Sequence, residues 1–404
     1  MKRRAFVLDP VCALPYGHNV VGLKYFSDAM RPFFSNVISV AARALPDALA
    51  AKYEFEREFN FYYHQHISVP HPPRAVRSAP QLASAITHEQ DLLLVDAIRD
   101  ANDLLAKFSI GAADVVMFPC VDYYGVIAML HALQDRPLSE QPRLLLRFIG
   151  VMENAGADGD LGLRKLVRQI VIARKRGTIV QICAETPRYA DYLAEQINAS
   201  VDVVPYPPHA VSQAHVLEAD QARDKTFIVA CPGSARLDKG YLSLLEIFRA
   251  VQLRRPDCEM SFVTQMLPMS DALNNSKYTN QLYALPNVSL LPESITEEQM
   301  NSVYDTASLV LLPYDPVTYK YRGSAVFMES LLRGIPVIAL AGSAFAEQVD
   351  FYRAGTVANR VTEFAEHIVN ATDRDMQQAR VSAMQACRRY VIDSSNAFGA
   401  WINQ

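Results

Sequence analysis

The sequence predicts an α/β protein built from two Rossmann-like domains, each with a parallel β-sheet. In both halves, short apolar runs of strand length alternate with segments of helical periodicity. The 404 residues are too many for one ordinary domain. A proline-rich and polar stretch interrupts the alternation near the middle. We therefore predict an N-terminal domain over 1–205, a linker over 206–225 and a C-terminal domain over 226–391.

The composition indicates a globular protein rather than one that binds nucleic acid. Half of the residues are apolar and a fifth are charged, and the net charge of −4 gives no general attraction to polyanions. The basic start Met1–Arg4 is followed by a strand-length run rather than a signal peptide. No window reaches the roughly 18 uncharged apolar residues of a membrane helix. The 6 cysteines lack CxxC spacing, so we expect free thiols and a cytoplasmic protein.

The N-terminal half has a strand–helix pattern with one unusual segment. Strands are expected at Ala5–Asp9, Asn36–Val40, Asp114–Phe118, Arg143–Ile149, Thr178–Cys183 and Val201–Val204. The unusual segment, 45–74, is charged and aromatic and contains a His-x-His triplet. Since no cysteine or carboxylate has ligand spacing nearby, we expect a loop or hairpin that faces an acceptor rather than a metal site.

Two carboxylates follow predicted strands in this half, at the strand ends where α/β proteins place their ligands. Asp122 comes after the strand Asp114–Phe118, and Glu153 comes after Arg143–Ile149. Asp122 either orients an acceptor hydroxyl or caps the helix that begins at Tyr123, and capping is the favoured interpretation. Both carboxylates are retained as candidate catalytic residues.

A predicted helix over 161–176 has an apolar face and a basic face. Its cations either contact an anionic lipid surface, if the acceptor is lipid-linked, or form a solvated face. The sequence leaves both alternatives open.

The C-terminal half begins with a strand, a loop and a helix whose loop is cationic. The loop, PGSARLDKG over 232–240, contains Arg236 and Lys239. Two cations and a glycine-led turn beside the start of a helix suit a leaving diphosphate that gains negative charge. A second signal lies at Thr296–Gln299, a capping box that predicts the start of another helix.

The stretch 308–340 predicts a βαβ unit with a polar loop before its helix. A helix N-terminus offers unpaired N–H groups and the positive end of a dipole, which favour a phosphate. Glu329, two turns into the helix, either faces solvent or reaches a hydroxyl of a bound molecule. The candidate binding residues ahead of Glu329 are Tyr321, Arg322, Gly323, Ser324 and Ala325.

The letters PY…YRGSAVFMESLLRGIPVI in this unit resemble the donor-site signature of GT-B glycosyltransferases. The similarity is to the large retaining family, glycosyltransferase group 1 type, which includes bacterial polysaccharide sugar transferases. It is dense from 226 to 338. It implies the GT-B fold, in which two Rossmann-like domains face a cleft and a last helix, here 392–404, crosses back to the first domain.

The resemblance also implies residue roles. Arg236 and Lys239 would neutralise the donor diphosphate, and Glu329 would accept hydrogen bonds from ribose hydroxyls. The loop that contains Glu293 would flank the base, and Gly17 would let the backbone approach the donor or acceptor closely. Many members have a sugar-contacting Glu where this chain has Tyr321.

The implied activity is that of a retaining glycosyltransferase of the hexosyltransferase type. It would move a sugar from a nucleotide-diphosphate sugar to a saccharide or lipid-linked saccharide in bacterial polysaccharide or glycoconjugate synthesis. No cofactor or metal is expected, since the two cations supply charge and the chain has no DxD motif for a metal. Two alternatives stay open. One is a nucleotide-sugar 2-epimerase of the same fold, with Asp122 and Glu153 as bases; the other is a non-catalytic binding protein, for which Tyr321 is the argument.

Overall fold

The computed structural model describes residues 3–14, 18–60, 94–150, 157–208, 227–256, 259–372 and 375–404. The chain forms two compact units. The first unit comprises Met1–Glu185, Ala190–Val204 and Gly399–Gln404, and the second comprises Thr186–Tyr189 and Pro205–Phe398.

The first unit is built on a parallel sheet with the strand order β3-β2-β1-β4-β5-β6-β7. Its strands are β1 Arg4–Asp9, β2 Asn36–Ala42, β3 Glu56–Phe59, β4 Val115–Phe118, β5 Arg143–Phe148, β6 Val180–Ala184 and β7 Asp202–Val203. The helices of this half are α1 His18–Met30, α2 Asp47–Tyr53, α3 94–107, α4 Tyr123–Gln134, α5 Ala157–Arg176 and α6 Pro187–Ile197. All four residues of β4 are buried, as expected of a parallel strand covered by helices on both faces.

The second unit is built on a parallel sheet with the strand order β10-β9-β8-β11-β12-β13. Its strands are β8 Phe227–Cys231, β9 Met260–Gln265, β10 Val288–Leu291, β11 Leu309–Leu312, β12 Val337–Leu340 and β13 Gly355–Ala358. The helices that follow α6 are α7 Leu244–Arg254, α8 Met269–Asn274, α9 Ser276–Tyr283, α10 Glu297–Thr306, α11 Ala325–Leu332, α12 Ala344–Tyr352, α13 Phe364–Ala371 and α14 Asp375–Asn403.

Each sheet reverses its strand order beside its first strand. In the second unit, β8 has β9 on one side and β11 on the other. The connections that leave the carboxyl ends of β8 and β11 therefore run to opposite faces of the sheet. Open α/β sheets bind ligands at such a point. The fold therefore indicates a candidate site at the loops 232–240 and 313–324.

The prediction of two Rossmann-like parallel sheets is confirmed. The capping box is also present: the Thr296 hydroxyl accepts from the Gln299 amide at 3.2 Å, and the Gln299 side chain accepts from the Thr296 amide at 2.9 Å. Two of the predicted elements are wrong. Residues 47–59 are not a loop or hairpin but the helix α2 and the edge strand β3, parallel to β2. The last helix, expected as a separate element at 392–404, is instead the end of α14, which continues without a break to Asn403, since neither glycine nor proline interrupts 391–398.

Candidate functional site

The two loops at the strand reversal of the second unit contact each other through backbone atoms. The Asp315 amide donates to the Asp238 carbonyl at 2.9 Å. Gly240 has φ of 73°, and a Cβ atom there would lie 2.0 Å from the Pro313 carbonyl oxygen. Only glycine combines this left-handed conformation with such a close approach. The contact fixes the cationic loop 232–240 against the loop that leads into α11.

Arg236 is held in place by a residue that sequence reasoning missed. Its Nε donates to Asp238 Oδ1 at 2.8 Å, and its Nη2 donates to the other carboxylate oxygen and to the Tyr319 hydroxyl, the latter at 3.1 Å. Burial acts to raise the pKa of Asp238, but hydrogen bonding to Arg236 and the charges of Lys239 and Arg322 keep it below its usual value. Asp238 therefore stays ionised among three cations. An acidic residue two positions after a candidate arginine was the only signal for it.

Lys239 points toward the first turn of α11. A Cβ atom on Gly233 would lie 3.1 Å from the Lys239 Nζ and 3.1 Å from Val326 Cγ2, so these two atoms flank one small space. The ammonium also lies 5.8 Å from the centroid of the Tyr314 ring. Burial, with a smaller contribution from Arg236, lowers the pKa of Lys239 to about 8. The structure thus brings this predicted cation to the helix start.

The start of α11 is defined by a side-chain cap. The Ser324 hydroxyl accepts from the Phe327 amide at 3.2 Å. The exposed Ala325 is the first helical residue. In an α-helix the first amides have no partner within the helix, so their N–H groups and the positive dipole end face the loop.

The residues just before this cap add aromatic surface and charge. The Arg322 guanidinium lies 5.9 Å from the centroid of the Tyr319 ring, and the Lys320 ammonium lies 5.0 Å from that of Tyr321. The Tyr321 carbonyl accepts from the hydroxyl of Thr186, a residue of the second unit, at 2.9 Å. Gly323 is half-buried between Arg322 and the cap. The loop offers cations and phenol rings rather than the carboxylate that the resembling family has there.

Glu329 is anchored by Arg333, another residue that the sequence analysis did not single out. The Arg333 Nε donates to Glu329 Oε2 at 3.4 Å, and its Nη atoms donate to Asp305 at 3.1 Å and to Asn301 at 2.7 Å. The Arg333 side chain is 6% exposed, whereas that of Glu329 is 24% exposed. The carboxylate is therefore supported from the buried side and keeps accessible surface, which suits a group that accepts hydrogen bonds from a ligand.

The loop after β10 contains Glu293, whose side chain is exposed. Its carbonyl accepts from the Gln265 side chain at 2.9 Å, and the Pro292 carbonyl accepts from the same nitrogen at 3.3 Å. Gln265 lies at the carboxyl end of β9 and is 3% exposed. Sequence reasoning missed it because an isolated glutamine at a strand end carries no motif.

Among the candidate residues of the first unit, the structure describes Asp122. The Asp122 side chain accepts from the Gly125 amide at 2.7 Å and caps α4, as the favoured interpretation predicted. Burial raises the pKa of Asp122 to about 6, and burial likewise raises that of Asp9, at the end of β1, to about 6. Glu153 and Gly17 lie outside the described residues.

In the second unit, Arg236 and Arg322 contact Tyr319, and Lys239 lies beside Tyr314. The centroids of the two rings are 4.7 Å apart. No protein-family model matches the sequence, and no curated protein matches it.

Three solved structures illustrate the likeness. HepE from Anabaena, in complex with UDP and glucose, has a TM-score of 0.65 at 13% identity, with 100% of each chain covered. Sucrose-phosphate synthase from Thermosynechococcus elongatus has a TM-score of 0.64 at 14% identity over 100% of this chain and 98% of its own. A single-residue mutant of S. aureus TarM, in complex with UDP and other ligands, has a TM-score of 0.66 at 9% identity over 100% and 99%.

These likenesses cover the whole chain and include both parallel sheets. At such low identities they establish the fold. The chain therefore has the GT-B fold, with two Rossmann-like domains, that these glycosyltransferases share.

Proposed function

We propose that this protein is a glycosyltransferase that moves a sugar from a nucleotide-diphosphate sugar to a saccharide or lipid-linked saccharide acceptor. The observation that carries the proposal is the group of three cations, Arg236, Lys239 and Arg322, beside the first turn of α11. The fold of HepE, whose structure contains UDP and glucose, supports the same assignment.

The chemistry follows from the charge that develops when the sugar leaves. The bond between the anomeric carbon and the diphosphate oxygen breaks, and the acceptor oxygen forms the new bond to that carbon. The diphosphate gains negative charge, which fixed cations and helix N–H groups stabilise without reorganising. In a retaining reaction the departing diphosphate oxygen takes the acceptor proton, so the enzyme needs no base of its own. We propose that the reaction retains the anomeric configuration of the sugar.

The charge balance also suggests a reaction without a metal ion. Arg236, Lys239 and Arg322 bring three positive charges, and Asp238 removes one of them. The remaining charge and the α11 dipole together suit a diphosphate. We propose on this basis that a metal is not required, and the test is turnover in the presence of a chelator.

The setting of the reaction is a further part of the proposal. We place it in the cytoplasm, in bacterial polysaccharide or glycoconjugate synthesis. No helix among the described residues is long and apolar enough to cross a membrane. Arg164, Lys165 and Arg168 are exposed on α5 and would supply peripheral contact with anionic lipid if the acceptor is lipid-linked.

Calorimetric titration with UDP, GDP, ADP and dTDP tests the donor site. We expect selective binding of at least one of them, weakened about tenfold or more in Glu329→Ala, since hydrogen bonds to a charged group contribute about 1.5–3 kcal/mol. Binding of none would contradict the donor-site assignment. Turnover or hydrolysis of the corresponding nucleotide-sugar then separates an enzyme from a non-catalytic binding protein.

A further inference from the structure

The side chain of Gln265 controls the backbone of the loop after β10. Its Nε2 donates to two successive carbonyls, Pro292 at 3.3 Å and Glu293 at 2.9 Å. The orientation of the amide is set by these contacts, because a flipped amide would place its oxygen against two carbonyl oxygens. The Met266 amide ties the same loop to β9 by donating to the Leu291 carbonyl at 2.8 Å.

The Gln265 carbonyl oxygen is buried and has no hydrogen-bond partner among the described residues. Buried polar atoms in folded proteins nearly always have a partner. The side chain is thus held in a position in which its nitrogen binds both loop carbonyls although its oxygen has no partner among the described residues. Such a position is a sign of function more than of packing.

The direction of the two carbonyls fixes the direction of two amides. In a planar trans peptide the C=O and N–H groups point to opposite sides, and the described part of the chain has no cis peptide bond. Since the Pro292 and Glu293 carbonyls point to Gln265, the Glu293 and Ser294 amides point away from it. Both residues are exposed, which favours access to these two N–H groups at the carboxyl edge of the sheet.

This edge is shared with the cationic site. Neighbouring strands lie about 4.8 Å apart, so the ends of β8 and β10, two strands apart, are separated by about 10 Å. A ribose and base can extend over that separation when the diphosphate lies at the start of α11. The two amides are then placed for the base.

We propose that Gln265 is a positioning residue that makes the donor site select a base carrying a carbonyl oxygen, such as uracil or guanine, over adenine. A carbonyl oxygen has two lone pairs and can accept from both amides. Each ring nitrogen of adenine that accepts has one lone pair and can satisfy only one of them. The inference rests on the proposed function, since it assumes that a nucleotide binds at this edge.

The test is calorimetric titration of wild type and Gln265→Glu with UDP, GDP, ADP and inorganic pyrophosphate. Glutamate matches glutamine in size but cannot hold both carbonyls: ionised it donates no hydrogen bond, and in the protonated form that burial favours it donates only one. We expect wild type to bind UDP or GDP at least about tenfold more tightly than ADP, the effect of one hydrogen bond. In Gln265→Glu this preference should fall by about tenfold, with pyrophosphate affinity unchanged.

The control is Gln252→Glu. Gln252 also donates from its side chain to a carbonyl, that of Pro286 at 3.0 Å, but at the amino end of β10. It should leave the base preference intact. Equal affinity of wild type for ADP and the carbonyl bases would overturn the inference even if Gln265→Glu fails to fold, and so would a preference that survives in a folded variant. Failure of every nucleotide to bind wild type would instead overturn the proposed function itself.

Discussion

At the scale of single residues, the charge state of Lys239 links the structure to a measurable pH dependence. Its pKa is lowered to about 8, first by burial and then by the neighbouring Arg236. Below that pH the ammonium is charged, and above it the amine is neutral. Arg236 keeps its proton throughout because hydrogen bonding to Asp238 raises its pKa further.

We predict that the affinity for the preferred nucleoside diphosphate falls as pH rises above about 8. The loss should approach tenfold per pH unit, because one proton must be taken up on Lys239 when the ligand binds. The phosphates are already ionised in this range, with a second pKa of about 6. Calorimetry between pH 6.5 and 9.5 measures the slope.

Two variants check the origin of that slope. Lys239→Met should bind weakly at every pH with no slope in this range, and Lys239→Arg should bind without the decline because arginine stays charged. A slope that persists in both variants would assign the titration to another group.

Gly240 gives a prediction about stability at the same scale. Alanine there would need φ of 73° and a Cβ atom 2.0 Å from the Pro313 oxygen. We expect Gly240→Ala to lower the free energy of unfolding by about 3 kcal/mol or more, through backbone strain and displacement of the loop. Urea titration measures the loss.

The matched change is Gly111→Ala. A Cβ atom at Gly111 would meet the Glu140 carbonyl at 3.6 Å, an ordinary contact, so the expected change is within about 1 kcal/mol. Similar unfolding midpoints for the two alanine variants would show that the loops do not need their close approach.

At the scale of elements, the sequence predicts what local pattern determines and fails where tertiary context decides. The buried strands β4 and β11 were visible as apolar runs. The edge strand β3, EREF, was not, because only one of its four residues is buried and its charges read as a loop. Motif spacing pointed to Arg236 and Lys239, but their arrangement around Asp238 depends on how the loop folds. The role of Gln265 depends on its hydrogen bond to the Pro292 carbonyl, 27 residues later in the sequence. No local pattern shows a contact over that distance.

The cap of α11 yields a prediction at this scale. Ser324→Ala removes the acceptor for the Phe327 amide and should destabilise the second unit by about 1 kcal/mol. It should also weaken diphosphate binding, because the helix start would be less well ordered. Thermal unfolding and calorimetry report the two effects separately.

Ser343→Ala is the control for that variant. Ser343 caps α12 by accepting from the Ala346 amide at 3.3 Å, so its loss should cost a similar amount of stability. If both variants reduce diphosphate affinity equally, the effect reports general loosening of the unit rather than the start of α11.

At the scale of the whole molecule, the two-sheet architecture was predictable because strands and helices alternate along the chain. The order of strands within each sheet was not, since it follows from which crossovers pack best and no single segment encodes it. The reversal of strand order between β8 and β11 positions the candidate site, and it can be identified only from the order of strands in the sheet. The continuous helix α14 is a second such feature, since its last residues group with the first unit.

The end of α14 provides the last prediction. Trp401 and Ile402 are 1% and 2% exposed, and the Arg143 side chain donates to the Ile402 carbonyl at 2.5 Å. Since Gly399–Gln404 belongs to the first unit, Trp401→Ala should destabilise that unit by about 3–5 kcal/mol through the cavity it leaves. Hydrogen exchange should show faster amide opening in β4 and β5 and little change in β8 and β11.

The control is Ile392→Ala, on the same helix at a residue that is 60% exposed. It should change stability by less than about 0.5 kcal/mol. Equal acceleration in both sheets would mean that the two units unfold as one cooperative body, and the C-terminal segment would then be a support of the entire chain.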